Sequence, residues 1–277
     1  MQLAPDAAAA GFGLIALETV ASTNAEALRL ARAGERGPLW VTARQQSAGR
    51  GRRGRTWISA PGNLFATLLL TDPAPPERAA QLSFVAALAL HDAIVAQAPA
   101  LAPRLALKWP NDVLLAHVPA KWPPVRGQGH APIHETGVKL AGILIEAEGA
   151  QPLAVAVGIG VNCRHHPPDA EYPATDLAAA GAEVTVEALF AALSLAMVHR
   201  LREWQAGFAP IRAAWLARAG GLGAELRARL GTRELTGRFD TIDAEGRLRL
   251  RLADGSVETI AAGEVFPVAP AAPPVGR

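Results

Sequence analysis

Cysteine is almost absent: Cys163 stands alone among 277 residues, so no intramolecular disulfide can form. That fits a reducing compartment, with the cytoplasm expected and the thiol expected to be buried and inert. Aromatic residues make up only 5% of a chain that is 50% hydrophobic and rich in alanine. The expectation is Ala-rich helices packed on an aliphatic sheet, not a disordered scaffold. Excess charge is also lacking. A net charge of +2 argues against a protein whose main task is to grip a polyanion along its whole surface. No basic cluster precedes the apolar residues between Met1 and Gly13, and no stretch approaches the uninterrupted length of a membrane-spanning helix; neither secretion nor insertion is expected.

The positive charge that is present is concentrated. In Gln46-Ser47-Ala48-Gly49-Arg50-Gly51-Arg52-Arg53-Gly54-Arg55-Thr56-Trp57 three glycines break up four arginines, so the backbone can bend while each guanidinium stays free to fork onto an anion. No apolar period runs through it, and a loop ordered by an anionic ligand is expected. A solvated basic loop or an RNA-touching segment remains an alternative reading of this stretch alone.

Around it the chain alternates short apolar runs with helical periods. Leu14–Leu17 reads as a strand feeding a helix from Thr23 to Gly34, where Thr23 and Glu26 have capping-box spacing. Leu39–Ala43 and Leu64–Leu70 read as strands entering and leaving the basic loop, and a helix is expected from Pro75 through Ile94. Leu105–Leu115 is two apolar runs hinged at Pro110-Asn111-Asp112, with Lys108 and Trp109 leading into the turn. Residues 116–136 read as a long irregular loop whose histidines lack zinc-site spacing. Val138–Glu146 and Leu153–Asn162 read as antiparallel strands. Lys139, opening such a strand, needs a cleft or an anion, and Gly142, Gly158 and Gly160 would admit a ligand close to the backbone. Two helices are expected in 184–219. Beyond Gly220-Gly221-Leu222-Gly223 the period changes to two, with strands at 225–230, 235–240, 248–252 and 257–260, which suggests a small SH3-type barrel.

Taken together, Ser22-Thr23-Asn24, Gln46 with Gly49-Arg50-Gly51-Arg52-Arg53-Gly54, Lys108-Trp109-Pro110-Asn111-Asp112, Lys139-Leu140-Ala141-Gly142-Ile143-Leu144 and Gly158-Ile159-Gly160-Val161-Asn162 resemble, in this order, the biotin protein ligase family. The resemblance runs from about Leu14 to Val268. It implies an α/β (α+β) catalytic domain of class II synthetase-like type over 1–221, an SH3-like C-terminal β-barrel over 222–268, and a disordered tail over 269–277. It also implies two half-reactions: biotin and ATP give biotinyl-5'-AMP, and a lysine of a biotin carboxyl carrier domain, in acetyl-CoA carboxylase or a related carboxylase, takes the acyl group.

By the same resemblance Lys139, Arg52 and Asp112 are catalytic. Ser22, Thr23, Asn24, Gln46, Gly49, Arg50, Gly51, Gly142 and Gly158, with Arg52 and Lys139, are biotin-binding. Arg55, Trp57, Lys108, Asn111 and Asn162, with Arg52, Asp112 and Lys139, are nucleotide-binding, and Asp112 is the candidate ligand of Mg2+. No DNA or membrane partner is expected, nor the class that doubles as a transcriptional repressor; a homodimer is compatible with the resemblance. The alternatives are a lipoate or octanoate transferase, which would not be expected to combine the basic loop, Lys-Trp-Pro-Asn-Asp and a terminal barrel, and an RNA-binding module stacking on Trp57.

Overall fold

A computed structural model describes residues 1–116, 137–168 and 172–268; the expected long loop and C-terminal tail lie outside the described residues. Seven strands form the main sheet: β1 (Gly13–Val20), β2 (Leu39–Gln46), β3 (Leu64–Thr71), β4 (Leu105–Lys108), β5 (Asp112–Leu115), β6 (Val138–Glu148) and β7 (Ala154–Val161). Their order is β1-β2-β3-β7-β6-β5-β4, with β1 and β2 parallel and every other neighbour antiparallel.

Side-chain alternation divides the sheet into two faces with different tasks. Leu64, Ala66, Leu68 and Leu70 of β3, with Val155, Val157, Ile159 and Val161 of β7, face the main core. There they meet α3 (Leu82–Gln97), α4 (Val186–Ala206) and α5 (Phe208–Leu216). The intervening positions, Phe65 and Thr67 on β3 and Ala156, Gly158 and Gly160 on β7, face α2 (Thr23–Arg32) and the cavity beside it. On β7 the second face carries only alanine and glycine, which leaves room for a site there.

Helix α3 is buried around most of its circumference, from Leu82 to His91, which suits a central helix clamped between layers. The helix expected from Pro75 starts later: Pro76–Gln81 forms a 3-10 turn, where Gln81 accepts a hydrogen bond from Trp204 Nε1 at 2.9 Å. Pro76–Gln97 is in fact long and apolar enough by composition to cross a membrane, against the sequence expectation, but 78% of its most apolar window is buried inside the protein. The short N-terminal helix α1 (Pro5–Ala9) carries no amphipathic period and was not expected.

The second sheet contains β8 (Glu225–Leu230), β9 (Arg233–Ile242), β10 (Leu248–Arg251), β11 (Val257–Ile260) and β12 (Glu264–Pro267), in the order β11-β10-β9-β8-β12. Four of these strands are anticipated by the sequence pattern; β12 is additional. Trp215 of α5 packs on Phe84 at 5.3 Å and on Phe239 at 6.5 Å between ring centroids. Phe239, Ile242, Leu248, Leu250 and Val265 thereby join the same continuous core as α3. The C-terminal sheet is fused to the main domain, not tethered to it.

Candidate active site

The floor of the site is glycine. A Cβ on Gly160 would lie 2.6 Å from Trp57 Cε2, and one on Gly142 would lie 3.1 Å from Trp57 Cζ3, so the indole rests flat where any side chain would lift it. Gly158 does the same for Asn24, whose amide fills the space a Cβ would need.

At one end, Ser22 is the N-cap of α2, its hydroxyl accepting from the Ala25 amide. Capping therefore accounts for Ser22 and not for Thr23, and Glu26 is taken by Arg29 at 2.7 Å. Thr23 is thereby released to the cavity side. Its amide donates to Gln46 Oε1 at 2.8 Å, its hydroxyl lies 2.8 Å from that of Thr67, and Thr67 donates to Asn24 Oδ1 at 2.7 Å. Asn24 Nδ2 in turn donates to Leu144 O and to Glu146 Oε2, and Gln46 Nε2 to Ser59 Oγ at 2.9 Å. Buried polar groups fixed this way form a rigid donor-acceptor surface.

At the other end a β-bulge sets the chemistry. Val113 pairs with Ala141 but Leu114 pairs with Lys139, so one extra residue of β6 is inserted between them. Lys139 and Gly142, three residues apart, would otherwise point to opposite faces; the bulge turns Lys139 onto the face of Gly142 and Asp112. Lys139 Nζ then stands 2.6 Å from Asp112 Oδ1 as a close ion pair. Lys108 Nζ lies 3.8 Å from Asp112 Oδ2. Burial, opposed by Asp112 and reinforced by Lys139, holds Lys108 below the usual lysine range.

The basic loop folds over these groups as a small hairpin, with Arg50 bridged to Thr56 and Gly51 N donating to Arg55 O at 2.7 Å. Gly54 and, less comfortably, Arg53 take left-handed backbone with φ of 73° and 57°. Carboxylates of the protein itself are the anions that hold it. Arg50 meets Glu146 at 3.1 Å, while Arg55 and Arg53 meet Glu264 of β12 at 2.7 and 3.6 Å. Arg52 is turned inward, donating to Asn111 Oδ1 and Gly263 O, both at 3.2 Å. Burial lowers its pKa, yet a guanidinium stays charged at any physiological pH.

The result is a cavity of about 400 Å³. Of the residues singled out from sequence, Ser22, Thr23, Asn24, Gln46, Arg50, Gly51, Arg52, Arg55, Trp57, Lys108, Asn111, Asp112, Lys139, Gly142, Gly158 and Asn162 all line it. Gly49 does not. It lies behind the loop, where a Cβ would run into Ser59 Oγ and Trp57 O, and its carbonyl accepts from the Trp57 amide; its glycine requirement comes from packing. Asn162 lines the cavity but commits its amide to Thr175 O at 3.0 Å. The lining also includes Phe65, Tyr172, Glu264 and Phe266, which sequence reasoning missed.

For a metal, the described residues hold no cluster of three His, Cys, Asp or Glu side chains. Asp112 offers one carboxylate at the cavity wall, its Oδ1 2.6 Å from Lys139 Nζ and its Oδ2 3.8 Å from Lys108 Nζ, and such a lone carboxylate suits a magnesium ion that arrives with phosphates, not an ion caged by protein alone.

Residues 17–162 match the family model described as Biotin/lipoate A/B protein ligase family, and residues 221–266 match Biotin protein ligase C terminal domain. The chain belongs to the biotin protein ligase family. Biotin--[acetyl-CoA-carboxylase] ligase of Paracoccus denitrificans is 47% identical over 259 residues, covering 88% of this chain and 96% of that protein. Among solved structures, biotin protein ligase from Aquifex aeolicus in complex with biotin and ATP superposes with a TM-score of 0.72 at 24% identity, covering 92% and 97% of the two chains. That from Leishmania major in complex with biotinyl-5-AMP gives 0.59 at 25% identity, covering 90% and 99%. The ligase architecture, a mixed α/β domain followed by an antiparallel SH3-like domain, is the one seen here.

Proposed function

We propose that this chain activates biotin with ATP as biotinyl-5'-AMP and transfers the biotinyl group to a lysine of the biotin carboxyl carrier domain of acetyl-CoA carboxylase or a related carboxylase. The observation that carries the reading is the joining, in one cavity, of Lys139 and Arg52 with the fixed polar surface of Thr23 and Gln46. Thr23, Gln46 and the cap of α2 bind the polar ring of biotin, with Arg50 and Gly51 over it. The biotin carboxylate points to Lys139, and the nucleotide lies toward Lys108, Asn111, Arg55 and Trp57.

The first step brings a carboxylate up to a polyanion. Two unit charges about 4 Å apart repel by roughly 4 kcal/mol at an effective dielectric near 20, so cations must stand between them. Lys139 and Arg52 do so while the carboxylate oxygen attacks the α-phosphorus and pyrophosphate leaves. Positioning and charge neutralisation suffice, and no enzyme nucleophile is needed. A magnesium ion on Asp112 would supply further neutralisation of phosphate charge. In the second step the carrier's lysine, as a free amine, attacks the mixed anhydride, forming an amide and releasing AMP and a proton. The closed basic loop keeps water from the anhydride until then. The reading places the enzyme in the cytoplasm, without DNA or membrane partners and as a monomer or homodimer.

The test is incubation with labelled biotin, Mg-ATP and a carrier domain, with lipoate in place of biotin as the control. Label on the carrier from biotin alone is expected; transfer of lipoate instead, or none of either, contradicts the proposal.

A further inference from the structure

Lys108 is held in an unusual way. Its side chain is 13% exposed, it lines the cavity, and Asp112 Oδ2, at 3.8 Å, is too far to accept a hydrogen bond. What the ammonium does touch is aromatic. It sits 3.7 Å from the ring centroid of Tyr172 and 5.5 Å from that of Phe266, one from the segment after β7 and the other from β12 of the C-terminal sheet.

Tyr172 is anchored for this purpose. The residues after it run beside the start of β6: Lys139 N donates to Pro173 O at 2.7 Å, and Thr175 N to Lys139 O at 3.0 Å. Asn162 fastens the same stretch through Thr175 O. Burial pushes the Tyr172 phenol up to about 12, so the ring remains neutral and its face remains attractive to a cation.

The geometry points to Tyr172 as a positioning residue for the nucleotide half of the reaction, its ring face holding the Lys108 ammonium aimed at a phosphate group in the cavity. The inference rests on the ligase reading given above, and Tyr172 itself touches none of the reacting atoms. Charged and titratable groups facing Lys108 come from four other places: Asp112 on β5, Lys139 on β6, Glu264 on β12 and Arg55 on the loop. The two carboxylates favour the ammonium, while burial, Lys139 and Arg55 oppose it. Without the ring the ammonium loses the contact that fixes its direction.

Tyr172→Phe keeps the face, and Tyr172→Leu keeps apolar bulk without it. In biotin-dependent exchange of pyrophosphate into ATP, Tyr172→Leu is expected to raise the KM for ATP about tenfold, within the range of a desolvated cation–π contact. The KM for biotin should stay as in the parent. Tyr172→Phe is expected to restore parent values. Parent-like ATP kinetics in Tyr172→Leu, equal losses in both variants, or a parallel rise in the KM for biotin would overturn the assignment. A second measurement does not need the reaction. At a single pH, the rate of amine labelling at Lys108, read by mass spectrometry, should rise in Tyr172→Leu, where the amine is no longer held against a ring, but not in Tyr172→Phe; parent rates in both overturn the role of the ring even in a chain with no ligase activity.

Discussion

Lys139 and Asp112 meet at 2.6 Å because β6 carries one residue more than β5 between Ala141 and Lys139. The extra residue thus brings a cation onto the site face. With Lys108 on the other side of the same carboxylate, two ammonium groups share one negative charge, and the excess is available to an incoming anion.

Lys139→Ala removes the cation nearest the biotin carboxylate. Pyrophosphate exchange is expected to fall by about 10² to 10³, as when a preorganised charge-stabilising donor is lost. Near-parent exchange would show that Lys139 is not needed in the first half-reaction.

Gly160→Ala separates the site from the fold. The new methyl group would overlap Trp57, which belongs to the loop and can move, whereas β7 cannot. A loss of roughly 1 to 3 kcal/mol is expected from such overpacking, seen as a lower melting temperature, together with the loss of the upward shift that biotin and ATP produce in the parent. A variant that melts lower yet retains the full ligand-induced shift would mean Trp57 is not part of the binding surface.

The sequence made legible what depends on local pattern. Apolar runs marked all seven strands of the main sheet, since each is bounded by glycine, proline or polar turns, and Lys139 stood out because a lysine does not open a buried strand without a reason. Features made by pairing at a distance were not legible. β12 is four residues long and ends in Pro267, too short for a period to show, and its Glu264 and Phe266 reach the cavity only because β12 pairs with β8. Tyr172 lies in a proline-containing loop and gains its place through the backbone of Lys139. Gly49 failed in the opposite sense: membership in a glycine-arginine run suggested a ligand contact, where close packing against Ser59 and Trp57 is what excludes a side chain.

Arg52→Gly tests closure. Arg52 ties the loop to Asn111 and to the carbonyl of Gly263, so its loss unlatches the loop on the nucleotide side while Lys139 remains. Biotinyl-AMP should still form but escape, with a shorter half-life on the enzyme in a filter-retention assay. An intermediate held as long as in the parent would rule out a lid function for this arginine.

Glu264→Gln tests the latch from the other domain. Glu264 is largely buried, with 12% side-chain exposure, and meets both Arg53 and Arg55; partly buried pairs of this kind are screened less than surface ones. Removing its charge takes away the Glu264 ion pairs of Arg53 and Arg55 while the core under β12, including Val265, is untouched. Trypsin should then cut within residues 50–55 faster in the ligand-free protein, and biotin with ATP should restore protection by supplying anions of their own. Cleavage at the parent rate without ligand would mean that the hairpin formed by Arg50, Gly51, Arg55 and Thr56 holds itself, and that the C-terminal sheet plays no part in closing the site.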